Sequence, residues 1–263
     1  MLERIFGGAP VPIIQSVDRA LKILDLFNEY ESELKITEIS EKMNLHKSTV
    51  HSLLKTLQAH RYIEQNQESG KYRLGMKLFE RGNLVVQTID IAMIAKPHLN
   101  TISKETQQTV HLVILDGKEG VYIDKVEGVT TSSLYSRIGR RIPIHCSAVG
   151  KALLAYKPMG ELDSLLANYE FEKRTEYTIT DKEAYLQDLQ EVREQGYARD
   201  NQENEQGVNC VAIPIHNHAG EVVAAMSISS PVMRYNDEEM SRHIAILKRE
   251  AGLISKKLGF GIQ

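Results

Sequence analysis

The sequence lacks the features of secreted and membrane-spanning proteins. Its 263 residues include two cysteines, Cys146 and Cys210, and no tryptophan. Two thiols cannot form a disulfide framework, which favours a protein of the reducing cytosol. No run approaches the roughly 18 apolar residues that a membrane-spanning helix requires, and the first residues have neither the basic start nor the apolar stretch of a signal peptide. We therefore expect a soluble, cytoplasmic protein that has no membrane partner.

Length and composition predict two globular domains. Hydrophobic residues make up 42% of the chain and charged residues 25%, which is typical of soluble proteins. Since single domains usually hold about 100–200 residues, this chain is long for one core. The formal net charge is −3, so a nucleic acid could be bound only through a local basic patch.

The segment from Lys42 to Ile63 contains no aspartate or glutamate. Apolar residues recur in it at the spacing of one helical face: Val50, Leu53, Leu54 and Leu57. Residues with hydrogen-bonding side chains recur at the same spacing on the opposite face: Ser48, His51, Ser52 and Lys55. A helix with an apolar face and a cationic face free of carboxylates is suited to the major groove of DNA.

The flanking sequence predicts a winged helix-turn-helix over residues 13–75. A first helix should begin near Ser16, with a buried stripe formed by Val17, Ala20, Leu21, Leu24 and Phe27. Thr37 should cap a short second helix that turns into the basic one. Segments 62–65 and 71–74 flank a glycine-containing loop and predict the hairpin of a wing.

The rest of the chain predicts a helical linker and an α+β domain. Residues 76–108 read as helical, with Pro97 expected to kink or divide the helix. The apolar excess of this linker suggests packing against its copy in a dimer. Over 109–260, two antiparallel strand pairs, 110–115 with 121–126 and 208–215 with 222–229, alternate with helices. We expect those helices at 147–156, 181–195 and 236–258.

A second acid-free window, Gly128 to Gly160, indicates a site for an anion. It contains five basic residues: Arg137, Arg140, Arg141, Lys151 and Lys157. Ser147 is placed to cap the helix that follows, and the free N–H groups near Ala148 and Val149 could then receive an anion.

A cysteine-dependent hydrolase is the alternative that these residues leave open. It would combine Cys210 and Asp200 with one of three histidines: His111, His145 or His216. Cys210 lies in an apolar strand without a nucleophile motif, so we do not expect an enzyme. No cofactor or metal is predicted either, because His145, Cys146 and Cys210 lack the Cys-x-x-Cys type of ligand spacing.

Six motifs in this chain resemble those of the IclR family of bacterial transcription regulators. They occur in order over nearly the whole chain: Gln15–Leu24, Lys47–His51, Tyr72–Gly75, Ile138–His145, Gly150–Ala155 and Ala224–Ser229. The resemblance implies a GAF-like effector-binding domain after the winged helix-turn-helix, a homodimer or homotetramer, and control by a small metabolite. We therefore expect a repressor that binds a pseudo-palindromic DNA site under the control of a small keto or hydroxy acid.

The predicted DNA-binding residues lie on three elements. Lys47, Ser48, Thr49, His51, Ser52 and Lys55 should face the groove, while Arg19 on the first helix and Lys71, Tyr72 and Arg73 on the wing should hold the backbone. The alternatives are a solvated basic face, a surface ion pair for Arg19, and a winged helix that binds protein instead of DNA.

The resemblance also places an effector site. Positions that line the family's ligand site correspond here to Ile142, Ala148 and Val149, and polar contacts of members that bind α-keto acids correspond to Asp200, Cys210, Ser227 and Ser229. Some members have Gly-Ala where this chain has Ala148-Val149, which leaves less room for a very small acid such as glyoxylate. The alternatives are an inert buried thiol at Cys210, a solvent-facing pair of serines and a turn role for Asp200.

Overall fold

The computed structural model describes residues 13–28, 30–87, 90–129, 136–234 and 236–261. The chain divides into two compact units, residues 1–88 and 89–263. Within the described residues, no helix is both long enough and apolar enough to span a lipid bilayer.

The first unit is a helix-turn-helix with a two-stranded wing, as predicted. Its elements are α1 (Gln15–Asp25), α2 (Ile36–Met43), α3 (Lys47–Ala59), the antiparallel pair β1 (Ile63–Gln65) and β2 (Tyr72–Leu74), and α4 (Met76–Gln87). Asn44 ends α2 in the left-handed conformation, with φ of 50°, and this residue reverses the chain into α3. Val50, Leu54 and Leu57 of α3 are buried and Leu53 packs beside them, which confirms the apolar stripe.

The buried face of α1 differs from the prediction. Val17 and Leu21 are more than half exposed, and Ile23, which the prediction left out, is fully buried. The other predicted members, Ala20, Leu24 and Phe27, pack in the core. The apolar residues of α1 form two overlapping helical faces. Packing against α3 in the core of this unit buries the face that contains Ile23. The predicted caps were also wrong, since Ser16 lies inside α1 and Thr37 inside α2.

The second unit is built on a six-stranded antiparallel sheet in the order β5-β4-β3-β8-β7-β6. The strands are β3 (Thr109–Asp116), β4 (Glu119–Val126), β5 (Arg141–Pro143), β6 (Ala198–Asn201), β7 (Val208–His216) and β8 (Val222–Pro231). The helices are α5 (Asp90–Thr106), α6 (Ala148–Leu154), α7 (Met159–Leu166), α8 (Lys182–Gln195) and α9 (Asp237–Lys257). Both predicted hairpins and the three predicted helices are present.

Helices cover both faces of this sheet. Val211 and Ile213 of β7 point into one core, which α5 and α9 complete, whereas Ala212 between them points into the other, which α6, α7 and α8 complete. This period-two alternation explains why the strands carry apolar residues on both faces. Three of these helices are capped by the side chain of the residue that precedes them, which accepts a hydrogen bond from a backbone N–H in the first turn. The capping residues are Ser147 for α6, Asp181 for α8 and Asn236 for α9.

The predicted linker is divided between the two units. Helix α5 continues through Pro97, so of the two predicted effects, a kink or a division, the division does not occur. Residues 88 and 89, which separate α4 from α5, lie outside the described residues. Ala95, Leu99 and Ile102 of α5 are fully buried in the core of the sheet domain. These apolar residues of α5 therefore pack against the sheet of their own chain and not against a second copy of the helix.

Candidate functional site

Helix α3 presents the predicted cationic face to solvent. Five of the six predicted groove residues on it are exposed, and Thr49 is half-buried: the exposed set is Lys47, Ser48, His51, Ser52 and Lys55. Their side-chain contacts are local, since the Ser52 hydroxyl donates to the Ser48 carbonyl at 3.1 Å and Lys55 Nζ lies 3.3 Å from Gln58 Oε1. The face is thus free to meet a duplex, and the first turn of α3 holds no acidic residue to repel it.

Arg19 lies beside the amino end of α3. It lines a shallow hollow together with Asn44, His46 and Thr49, which places its guanidinium near the predicted groove face. His46 directly precedes α3 and is exposed. The sequence analysis did not select His46, although an imidazole just before the first turn of a basic helix is a usable signal.

The wing exposes fewer of the predicted DNA-binding residues than expected. Tyr72 is 4% exposed and packs in the core of the first unit, and its backbone N–H and C=O bond to Leu34. Because side chains alternate along a strand, Tyr72 points inward while its neighbour Arg73 points outward. Arg73 is exposed and pairs with Glu64 at 3.2 Å, whereas Lys71 is half-buried. The prediction of a DNA contact by Tyr72 was wrong.

In the second unit, all seven predicted ligand residues line one cavity of about 400 Å³. They are Ile142, Ala148, Val149, Asp200, Cys210, Ser227 and Ser229. They come from β5, α6, β6, β7 and β8, so the fold assembles them from positions far apart in the sequence. A volume of this size accommodates a small organic acid.

A polar wall of the cavity follows from strand register. Cys210 on β7 pairs with both Asp200 on β6 and Ser229 on β8, and Ser227 pairs with His111 on β3. Cys210 Sγ lies 3.1 Å from Ser229 Oγ, which lies 3.5 Å from His111 Nδ1. Both serines are at least 96% buried, which overturns the alternative of a solvent-facing pair.

A buried turn positions α6 against the cavity. The Ser147 hydroxyl accepts from Gly150 N–H at 3.2 Å and donates to the Pro143 carbonyl at 2.5 Å. A Cβ at Gly150 would lie 2.4 Å from Ile144 Cα, so a glycine is required for this close approach. Ser147, Ala148 and Val149 consequently line the cavity at the start of the helix.

Lys151 does not contribute its charge to the cavity wall as the acid-free window suggested. It is 1% exposed, and its Nζ lies 3.0 Å from the Arg199 carbonyl and 2.7 Å from Glu203 Oε1. Arg140 and Arg141 of the same window do line the cavity, and Arg141 pairs with Asp116 and Glu119.

Arg174 is a cavity residue that the sequence analysis missed. Arg174 lies in an irregular segment that is hydrogen-bonded to the β6–β7 turn. The Thr178 hydroxyl donates to the Glu203 carbonyl in that turn at 2.7 Å, and it accepts from the Arg174 N–H at 3.1 Å. Glu172 and Glu205 also line the cavity. No periodic pattern surrounds Arg174, so the sequence held no signal for it.

Burial favours the uncharged form of four groups that line the cavity. Desolvation, followed by the charge of Lys125, lowers the pKa of His111 to about 3. Desolvation, followed by the charge of Glu203, raises the pKa of Asp200 to about 7. Burial also raises the pKa of the Cys210 thiol and of the Tyr122 phenol far above their ordinary values. The thiolate that a cysteine hydrolase needs is therefore disfavoured.

The reactivity of Cys210 checks this conclusion. We expect iodoacetamide at neutral pH to alkylate Cys210 at least tenfold more slowly than free glutathione, because the thiol is protonated and enclosed. Mass spectrometry of native and urea-unfolded protein measures both rates, the unfolded protein serving as the control. Alkylation of native Cys210 as fast as glutathione would indicate an activated nucleophile.

Comparison with protein families matches both units. Residues 16–67 match the IclR helix-turn-helix domain, and residues 83–256 match the C-terminal domain of bacterial transcriptional regulators of the IclR type. The chain is 54% identical over 250 residues to the HTH-type transcriptional regulator XynR of Escherichia coli (strain K12), covering 95% of this chain and 99% of that protein.

Solved structures share the fold. The crystal structure of the Thermotoga maritima IclR aligns with a TM-score of 0.80 at 36% identity, covering 94% of this chain and all of that one. An IclR homologue from Microbacterium hydrocarbonoxydans, crystallised with 4-hydroxybenzoate, aligns with a TM-score of 0.81 at 24% identity, covering 92% and 98% of the two chains. The relatives are named as transcription regulators and not as enzymes.

Proposed function

Because the chain belongs to the IclR family of bacterial transcription regulators, we propose that it is a repressor whose operator affinity is controlled by a small carboxylate bound in the cavity. That it regulates transcription through its helix-turn-helix follows from the family. The observation that carries the rest is the convergence of seven residues from five elements on one cavity.

The proposed DNA complex is that of a homodimer or homotetramer on a pseudo-palindromic site. Each α3 lies in the major groove of one half-site, and the half-sites are about one helical turn apart. Lys47, His51 and Lys55 are the exposed residues that support this placement. Arg19, Lys71 and Arg73 then contact phosphates, which position the protein without reading sequence.

The proposed effector is a small keto or hydroxy acid. Arg140 and Arg174 supply positive charge, and the backbone N–H groups at the start of α6 add a partial positive charge that suits a carboxylate. Ser227, Ser229 and neutral His111 can bond to hydroxyl or keto oxygens. The 4-hydroxybenzoate complex of a fold neighbour supports the inclusion of aromatic acids among the candidates.

We propose that the chain works in three parts: a DNA-binding domain over 13–75, a linker over 76–108 and an effector domain over 109–260. The second helix of the linker, α5, packs in the core of the effector domain and so joins the linker to it. Effector binding shifts the population between two arrangements of the DNA-binding domains through the linker, and so changes operator affinity. An acid has this effect if it binds one of the two arrangements more tightly than the other.

A thermal-shift screen of small keto, hydroxy and aromatic acids tests the proposal. An acid at 100 times its dissociation constant adds about 2.7 kcal/mol to stability, which is a measurable shift in Tm. An acid that raises Tm should also release the protein from operator DNA in a gel shift. If no carboxylate raises Tm while neutral sugars do, the proposed class of effector is wrong.

Arg174 provides a sharper test of the binding mode. We expect Arg174→Gln to weaken binding of the acid that raises Tm about tenfold, since an ionic hydrogen bond is lost. Folding should be unaffected because the Arg174 side chain is exposed. Lys173→Gln is the matched control, a neighbouring exposed cation that does not line the cavity. Isothermal titration of both variants measures the difference, and equal affinities would exclude Arg174 from the site.

A further inference from the structure

A buried cluster of four ionisable groups adjoins the cavity. Lys151 on α6 is surrounded by three carboxyl groups, from Asp188 on α8, Asp200 on β6 and Glu203 in the β6–β7 turn. Lys151, Asp200 and Glu203 are each more than 90% buried, and the Asp188 side chain is 27% exposed. If all four were ionised, the cluster would carry a net charge of −2 away from water, which is unfavourable.

The ammonium of Lys151 is committed to partners other than Asp200. It hydrogen-bonds to the Arg199 carbonyl and to Glu203 Oε1, and it forms an ion pair at 3.1 Å with Asp188 Oδ2 outside hydrogen-bonding geometry. Glu203 has the shortest contact, 2.7 Å, so Lys151 stabilises the charged form of this carboxyl against the burial that raises the pKa of Glu203. Within the described part of the chain, no ion pair joins Asp200 to a cation.

Asp200 instead bonds to the backbone of the turn. Its Oδ1 accepts from the N–H groups of Glu203 at 2.7 Å and Asn204 at 3.3 Å. Two amide donors favour the charged form, but burial and the neighbouring Glu203 carboxylate oppose it. These opposing effects raise the pKa of Asp200 to about 7.

The remaining groups near Asp200 do not offset this balance. Cys146 before α6, Cys210 on β7 and Tyr122 on β4 are neutral at pH 7, because burial raises the pKa of each. His111 on β3 is neutral because its pKa is lowered to about 3. Elsewhere in the cavity, burial raises the pKa of Glu205, and the charges of Arg140 and Arg174 act against that rise.

We infer that Asp200 carries a proton when an anionic effector binds, and that it faces the effector as a neutral hydrogen-bond donor. The consequence for effector binding rests on the proposed function, whereas the test measures the proton on Asp200 without any effector. An effector carboxylate beside Asp200 would favour the protonated form further, so effector binding would be coupled to proton uptake. Above the pKa of free Asp200, effector affinity would then fall about tenfold per pH unit.

Carbon-13 NMR of the aspartate side-chain carboxyls in the full-length protein, without any effector, is the test. We expect one carboxyl signal to titrate near neutral pH and to be absent from Asp200→Asn. Glu203→Gln should lower its midpoint by at least one pH unit, a tenfold change, because the repelling charge is removed and Lys151 is released. Glu172→Gln, an exposed acid of the same cavity, is the control and should leave the midpoint unchanged.

A second measurement does not require the carboxyl signal of Asp200 to be assigned. A native pKa above the unfolded value means that the unfolded chain loses its proton first as pH rises. Urea unfolding should therefore show wild type losing stability relative to Asp200→Asn between pH 4 and pH 7, with no further change above. An Asp200 signal that is fully ionised by pH 5, or a flat stability difference, would overturn the inference and leave the proposed function intact.

Discussion

The double variant Lys47→Glu/Lys55→Glu is expected to bind operator DNA about 1000-fold more weakly than wild type. Both side chains are exposed on the acid-free face of α3. In a dimer the two substitutions remove four contacts, each worth about 1 kcal/mol or more, and a loss of about 4 kcal/mol is roughly three powers of ten. Fluorescence anisotropy with a labelled operator at fixed salt measures the loss.

The control for charge is Lys104→Glu/Lys256→Glu, which makes the same change in net charge at exposed positions of the second unit. Its operator affinity should stay within about threefold of wild type. Both variants should unfold at the wild-type urea concentration, because exposed lysines contribute little to stability. If the two double variants lost affinity equally, general repulsion would explain the effect and α3 would not be the contact surface.

The double variant Ser227→Val/Ser229→Val is expected to lose effector response while keeping operator binding. Both hydroxyls lie on the buried polar wall of the cavity. Removing two hydrogen bonds to a charged ligand costs about 3 kcal/mol or more, so affinity should fall at least about 100-fold. Valine fits a strand well, so the fold should persist. Release of operator DNA by the acid identified in the thermal-shift screen measures the response.

Ser230→Val is the matched control for this pair. Ser230 follows Ser229 on β8, is 1% exposed, does not line the cavity, and its hydroxyl has no hydrogen-bond partner within the described residues. Period two places it on the other face of the sheet. Its effector response should equal that of wild type. A double variant as responsive as Ser230→Val would place the effector elsewhere.

Local patterns in the sequence were sufficient to predict most of the fold. The period of apolar residues in α3, the cap Ser147 and the glycine-containing turns each act within a few residues, so they can be read before the tertiary structure is known. The apolar stripe of α1 was correct at Ala20, Leu24 and Phe27 and wrong at Val17 and Leu21, because two stripes overlap in one helix and only packing against the rest of the core decides between them.

The candidate site was predicted less completely, and for physical reasons. The Ser147 cap indicated Ala148 and Val149, but the other five predicted cavity residues were assigned to the ligand site from the resemblance, since they lie on four separate strands. Tyr72 was misplaced because a three-residue strand carries too little alternation to reveal its inner face. The ion pairing of Lys151 depends on Glu203, 52 positions away, and the position of Arg174 depends on the contact between Thr178 and Glu203, which are 25 positions apart. No local pattern encodes such contacts.

The salt dependence of binding to duplex DNA tests the role of the α3 face most directly. Affinity for a random-sequence duplex should fall linearly on a log–log plot, with a slope of about −0.9 for each phosphate contacted, because bound counterions are released. Lys47→Glu/Lys55→Glu should make that slope shallower by about 2 per protomer, or by about 1 if only one lysine meets a phosphate. A slope near zero for wild type, or the same slope in the variant, would contradict the proposal that this face meets DNA.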